Sequence, residues 1–122
     1  MPKPLTGTLK SEIIKTFGTP CAAVDLDIVE RNIDRAQTLC DKAGVSNRPH
    51  IKTHKSPLLA NMQIAAGAKG ITCQKLGEAK VMADAGITDI IIATNLLGAA
   101  KCGQLASLQR QVALKVLSLI HI

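Results

Sequence analysis

Arg48-Pro49-His50-Ile51-Lys52-Thr53-His54-Lys55 puts five side chains able to carry positive charge into eight residues, inside a chain that otherwise reads as apolar and helical. Taken with a period of two, the run predicts a strand with His50, Lys52 and His54 on one face. Ile51, Thr53 and Lys55 then lie on the other. A lysine crowded by other cations holds its proton less firmly, so a neutral, nucleophilic amine becomes available near neutral pH. Such an amine can form a Schiff base with a carbonyl. The competing reading is a solvated basic loop, because blocks of charge are usually exposed.

The flanking sequence favours the strand. Upstream, Met1 to Thr8 reads as a polar leader, and Ser11 to Phe17 as a short helix ended by Gly18-Thr19-Pro20. Cys21 to Leu26 is an apolar run of strand length. Asp27 offers an N-cap with Glu30 three residues on, and Val29, Ile33, Ala36, Cys40 and Ala43 recur at helical spacing until Gly44. Downstream, Ser56-Pro57 is the N-cap and first residue of another helix, running to Gly67. Gly70 to Gln74 reads as a strand, Leu76 to Ala85 as a helix and Asp89 to Ala93 as a buried strand. A helix over Ala99 to Gln109 and a strand over Val112 to Val116 follow.

Ala43-Gly44, Ala66-Gly67 and Ala85-Gly86 each close a helix a few residues ahead of a strand. Strand and helix alternating at this spacing predict βα units and a parallel sheet. Short units with no Gly-rich fingerprint favour a (β/α)8 TIM barrel over a doubly wound sheet. A whole barrel takes roughly 250 residues, so these 122 residues correspond to its first three to four βα units.

Composition narrows the class. At 47% hydrophobic and 20% charged the chain is globular rather than disordered. Its formal net charge of +6 suits an anionic partner. Nucleic acid is disfavoured, because Phe17 is the single aromatic residue and bases have no stacking platform. A small phosphate-bearing molecule fits the charge equally well. Cys21, Cys40, Cys73 and Cys102 form no C-x-x-C pair, and no apolar run reaches the roughly 18 residues of a membrane span. A reduced, cytoplasmic protein with no membrane partner is the expectation.

In parallel α/β folds, function gathers at the carboxyl ends of strands. Lys52, Thr53 and His54 fall there on the first strand, Thr72, Cys73 and Gln74 on the second, and Thr94 and Asn95 on the third. Strand-end capping is the plainer reading of Thr72 and Asn95 taken singly. His50 and His54 have the spacing of a metal pair, but that spacing shares a face on a helix, and Pro49 opposes a helix here. No metal site is assigned to them.

Thr19-Pro20-Cys21-Ala22-Ala23-Val24-Asp25-Leu26-Asp27, Glu30-Arg31-Asn32-Ile33 and the Arg48 to Pro57 run together resemble the D-threonine aldolase and D-serine dehydratase family. Gly70 to Ala79, Ala85-Gly86-Ile87 and Asp89 to Ala93 continue the resemblance in order. It extends over about Thr19 to Val116, and its most specific part is the basic run.

The resemblance implies an alanine-racemase-like barrel binding pyridoxal 5'-phosphate as a Schiff base on Lys52. Residues 1–18 then form a leader and short helix, 19–116 the first part of the barrel, and 117–122 a tail unlike the family. It implies a lyase of D-configured β-hydroxy amino acids, aldolase-like in the first instance, with dehydration as the alternative. Thr72, Gln74 and Asn95 become candidate cofactor contacts, and His50 and His54 proton-handling neighbours. The family also implies a homodimer when full length, and a divalent metal whose ligands lie outside these residues. A truncated form is expected to be inactive alone. Two rivals remain: a non-catalytic barrel that carries the cofactor, and a small basic nucleic-acid binder resting on net charge.

Overall fold

The computed structural model describes residues 6–117. Met1 to Leu5 of the expected leader, and all of the expected tail except Leu117, lie outside the described residues.

Two compact units divide the chain, residues 1–32 and 33–122. In the first, helix α1 (Gly7–Phe17) begins four residues earlier than expected, so Gly7 and Thr8 are helical rather than leader. Cys21 to Asp25 is not a strand; it is an exposed linking segment. Helix α2 (Leu26–Lys42) starts behind Asp25, whose carboxylate accepts the Ile28 N–H at 3.2 Å. The cap is therefore Asp25 and not Asp27, which falls inside the first turn. Either aspartate suits the positive end of a helix, and the sequence does not separate them.

The second unit contains the sheet. Helix α3 (Pro57–Ala65) opens as expected, with Ser56 Oγ accepting the Leu59 N–H at 3.4 Å. Then come β1 (Ile71–Cys73), α4 (Leu76–Asp84), β2 (Asp89–Ile92), α5 (Ala99–Gln109) and β3 (Ala113–Val116). The three strands are parallel in the order β1-β2-β3. Helices α4 and α5 pack against each other over this sheet. Consecutive strand order with neighbouring helices on one face is the build of a barrel wall.

Alternation sets the two faces of the sheet. Ile71, Cys73, Ile90 and Ile92 are fully buried and pack with Ala60, Ala79, Met82 and Leu108 of the helices. Thr72 is in register with Ile91, and Ile91 with Lys115, so these three share the opposite face, as does Asp89. Fully burying a branched aliphatic side chain contributes about 1.5–3 kcal/mol, and without large aromatics this core depends on many such residues.

The basic run departs from its expected form. His50 makes an isolated parallel bridge with Thr72, and residues 51–54 then form a turn instead of continuing the strand. Three backbone bonds explain this. Thr72 N–H donates to the Pro49 carbonyl at 2.8 Å and Ile51 N–H to the Thr72 carbonyl at 2.9 Å, while Lys55 N–H folds back to the Ile51 carbonyl at 2.8 Å. The reversal closes at Lys55, in the left-handed region at φ 50.

Candidate active site at the carboxyl ends of the first strands

The bridge and turn bring some of the predicted residues together. His50 lies beside Thr72, on the face away from the helices. Lys52 follows in the turn with its side chain exposed, and its backbone N–H donates to His50 Nδ1 at 3.2 Å. No acidic group pairs with its amine among the described residues.

Lys55 has a different situation. Its Nζ lies 3.2 Å from Glu78 Oε1. Glu78 Oε2 also accepts the Gln74 N–H at 2.9 Å and the Lys75 N–H at 3.3 Å, closing the amino end of α4. Burial raises the Glu78 carboxyl, but the bonds from Gln74, Lys55 and Lys75 outweigh it and hold the group below its ordinary value. Of the two lysines in the run, one is committed to structure.

His54 is structural as well. Its Nδ1 accepts the Ser56 N–H at 3.1 Å, which fixes the approach to α3. Its Nε2 and Gln63 Oε1 are buried, and neither meets hydrogen-bond geometry with any partner. Gln63 still acts on the imidazole as a neighbouring acceptor, but burial dominates and pushes the His54 pKa down, which favours the neutral ring. With Nδ1 as acceptor, Nε2 carries the proton.

Thr72 Oγ1 donates to the Arg48 carbonyl at 3.0 Å, which ties the segment before the His50 bridge to β1. Gln74 and Asn95 are exposed and line a cavity of ≈ 380 Å³ with Thr94, Lys75, Lys101 and Gln104. The candidate residues thus form two groups: His50, Lys52 and Thr72 around the turn, and Gln74 with Asn95 around the cavity. Lys55, Glu78 and Gln74 connect them. Cys73, between Thr72 and Gln74, is withdrawn from chemistry, because burial and then Glu78 push its thiol up to about 12.

Two features escaped the sequence reading. Glu78 was visible only as the third residue of a helix whose cap position holds Lys75 and not Ser or Thr. The other is the partner of Arg48, which forms a two-pronged bond to Asp89, with Nη2 to Oδ2 at 2.9 Å, and Lys115 Nζ joins at 3.3 Å. A charged residue opening the run Ile90-Ile91-Ile92 was the available signal, since a partly buried carboxylate needs a partner.

Among the described residues no group of three or more His, Cys, Asp or Glu is placed to hold a metal, and no helix is long and apolar enough to cross a membrane.

Residues 24–120 match the family model described as alanine racemase, N-terminal domain. The chain is 47% identical over 85 residues to the D-threo-3-hydroxyaspartate dehydratase of Delftia sp. (strain HT23), covering 70% of this chain and 22% of that protein. To the D-threonine aldolase of Arthrobacter sp. it is 42% identical over 98 residues, or 80% of this chain and 26% of the relative. The crystal structure of the D-threonine aldolase from Filomicrobium marinum superposes with a TM-score of 0.79 at 42% identity, over 80% of this chain and 27% of that one. The chain therefore spans about a quarter of the length of these relatives.

Proposed function

Since the chain belongs to the alanine racemase N-terminal-domain family, we propose that it is the cofactor-anchoring part of a pyridoxal-phosphate-dependent lyase of D-configured β-hydroxy amino acids, with Lys52 as the anchoring lysine. The observation that carries this reading is the contrast between the two lysines of one turn. Lys55 is held by Glu78, and Lys52 presents an exposed amine with no acidic partner among the described residues. An exposed primary amine two residues after the bridge at His50, at the carboxyl edge of a parallel sheet, suits an aldehyde-bearing cofactor. Bound there, pyridoxal phosphate supplies an electron sink for bond cleavage at the substrate α-carbon.

The chain's own residues have limited roles. Lys52 would hold the cofactor through its exposed amine. His50 Nδ1 orients the Lys52 backbone through its N–H, and its other nitrogen is available to move a proton. Gln74 and Asn95 are candidate polar contacts on the cavity side, and Thr72 acts chiefly by fixing the strand. Likeness to the Filomicrobium aldolase supports cleavage to glycine and an aldehyde as the reaction of the complete enzyme, and likeness to the Delftia dehydratase makes loss of the β-hydroxyl the outcome to test against it. A divalent metal and a homodimer belong to the same proposal for the complete enzyme.

Incubation of the chain with pyridoxal phosphate, borohydride reduction and peptide mapping tests the assignment. A stable label at Lys52 is expected. Label at Lys55, or equal label on all lysines, would overturn it.

A further inference from the structure

We propose that Arg48, Gly70 and Asp89 form a transverse brace that positions Lys52; as a statement about cofactor anchoring this rests on the reading above. Arg48 precedes the bridge at His50, and Asp89 opens β2. The strand between them in the sheet is β1, entered at Gly70. To reach Asp89 the guanidinium must therefore pass over β1.

It does so at the residue with no side chain. A Cβ on Gly70 would come within 2.6 Å of an Arg48 guanidinium nitrogen and 2.9 Å of the Asp89 Cβ, and would overlap the Asp89 carbonyl oxygen. The arginine makes two parallel bonds to the carboxylate, the arrangement with the most orientational content among ion pairs. Side chains of Arg48 and Asp89 are only 16% and 20% exposed, so solvent screens the pair weakly.

From Arg48 a chain of short bonds reaches the turn. The Arg48 carbonyl accepts from Thr72 Oγ1, the Pro49 carbonyl accepts from Thr72 N–H, and Ile51 N–H donates to the Thr72 carbonyl. Ile51 is fully buried and immediately precedes Lys52. The brace therefore fixes the Arg48–His50 segment against both β1 and β2, and with it the start of the turn that carries Lys52. Displacements near 1 Å at a reacting group can lower rates about a hundredfold. Arg48, Gly70 and Asp89 are positioning residues, with no contact to the reacting atoms.

The test uses the full chain in two measurements, on Gly70→Ala, Asp89→Asn and the control Leu108→Ala, which weakens the core without touching the brace. First, amide exchange of Ile51 in the cofactor-free chain should quicken about tenfold or more in the two brace variants relative to the control at matched stability. Second, the rate of pyridoxal phosphate capture at Lys52, per folded molecule, should fall about tenfold or more in the brace variants and stay unchanged in Leu108→Ala. Unchanged Ile51 exchange in both brace variants would overturn the brace whatever the labelling shows. Equal loss of capture in Leu108→Ala would overturn its positioning role. Failure of the parent chain to label Lys52 would remove the functional reading, and the exchange result would still decide the brace.

Discussion

Lys55 and Glu78 are joined by a 3.2 Å ion pair running from the turn after the first strand to the start of α4. The same carboxylate caps that helix through the Gln74 and Lys75 amides. The cap, the turn and the choice between two lysines thus depend on one side chain.

Replacing Glu78 by Gln should lower stability by about 1 kcal/mol, since a charged cap and its ion pair become a neutral acceptor. It should also release Lys55. In the reduction experiment the variant is expected to carry label at Lys55 as well as Lys52, and urea denaturation gives the stability change. Label confined to Lys52 would mean that the ion pair is not what protects Lys55.

Acid should weaken the fold in two stages. Asp89 is held below its ordinary value, first by the Arg48 bonds against an opposing burial effect, and Glu78 by its three donors against burial. A depressed carboxyl contributes stability that is complete above its unfolded value, near 3.8 for Asp and 4.5 for Glu, and is lost as pH falls through the folded value. His54 is also depressed, by burial. Its unfolded form takes a proton below about 6.5 while the folded form resists, so its loss begins earlier. Denaturation midpoints should therefore fall slightly from pH 6.5 toward 5 and more steeply below 4.5. The variant His54→Gln should flatten the first stage only, and Asp89→Asn should reduce the second.

Most of the architecture was legible in the sequence, because βα alternation leaves short apolar runs such as Ile90 to Ile92 between helices closed by glycine. Ser56-Pro57 announced α3 correctly, since its capping chemistry is local. The basic run was legible only as far as His50. Its periodicity is that of a strand, but Lys55 adopts a left-handed conformation and folds back onto Ile51, and no local preference of lysine announces this. Cys21 to Leu26 failed in the opposite direction: an apolar run of strand length pairs with no strand among the described residues. Arg48 was legible only as one cation of the basic run, whereas its long side chain crosses a glycine to a partner 41 residues away.

Two glycines in ordinary backbone regions should respond oppositely to alanine. Gly103 lies inside α5 with nothing within 4 Å of an added Cβ, so Gly103→Ala should stabilise by about 0.5–1 kcal/mol through helix propensity and reduced unfolded-state entropy. At Gly70 the added atom meets the Asp89 backbone, which cannot move aside as a flexible side chain could, so Gly70→Ala should cost about 1–3 kcal/mol. Urea midpoints of the two variants measure both. A neutral Gly70→Ala would show that the arginine crosses β1 less closely than the structure indicates.

The final prediction concerns the outer edge of the sheet. Strand β3 pairs only with β2 among the described residues, and Val116 and Leu117 are 37% and 55% exposed. Ala113 N–H and Leu117 N–H donate inward, to the Thr88 and Ile92 carbonyls, so by alternation the Leu114 and Val116 N–H groups point outward. An unpaired edge next to exposed apolar side chains is a template for another strand. Sedimentation of the isolated chain should accordingly show concentration-dependent self-association. The variant Val116→Pro removes an outward donor without breaking a bond to β2. It should reduce the association while the circular dichroism spectrum stays that of the parent. A parent chain that remains monomeric across the concentration range, with cooperative unfolding, would show that this edge is not exposed to partners in solution. Association that persists unchanged in Val116→Pro would place the contact on another surface of the chain.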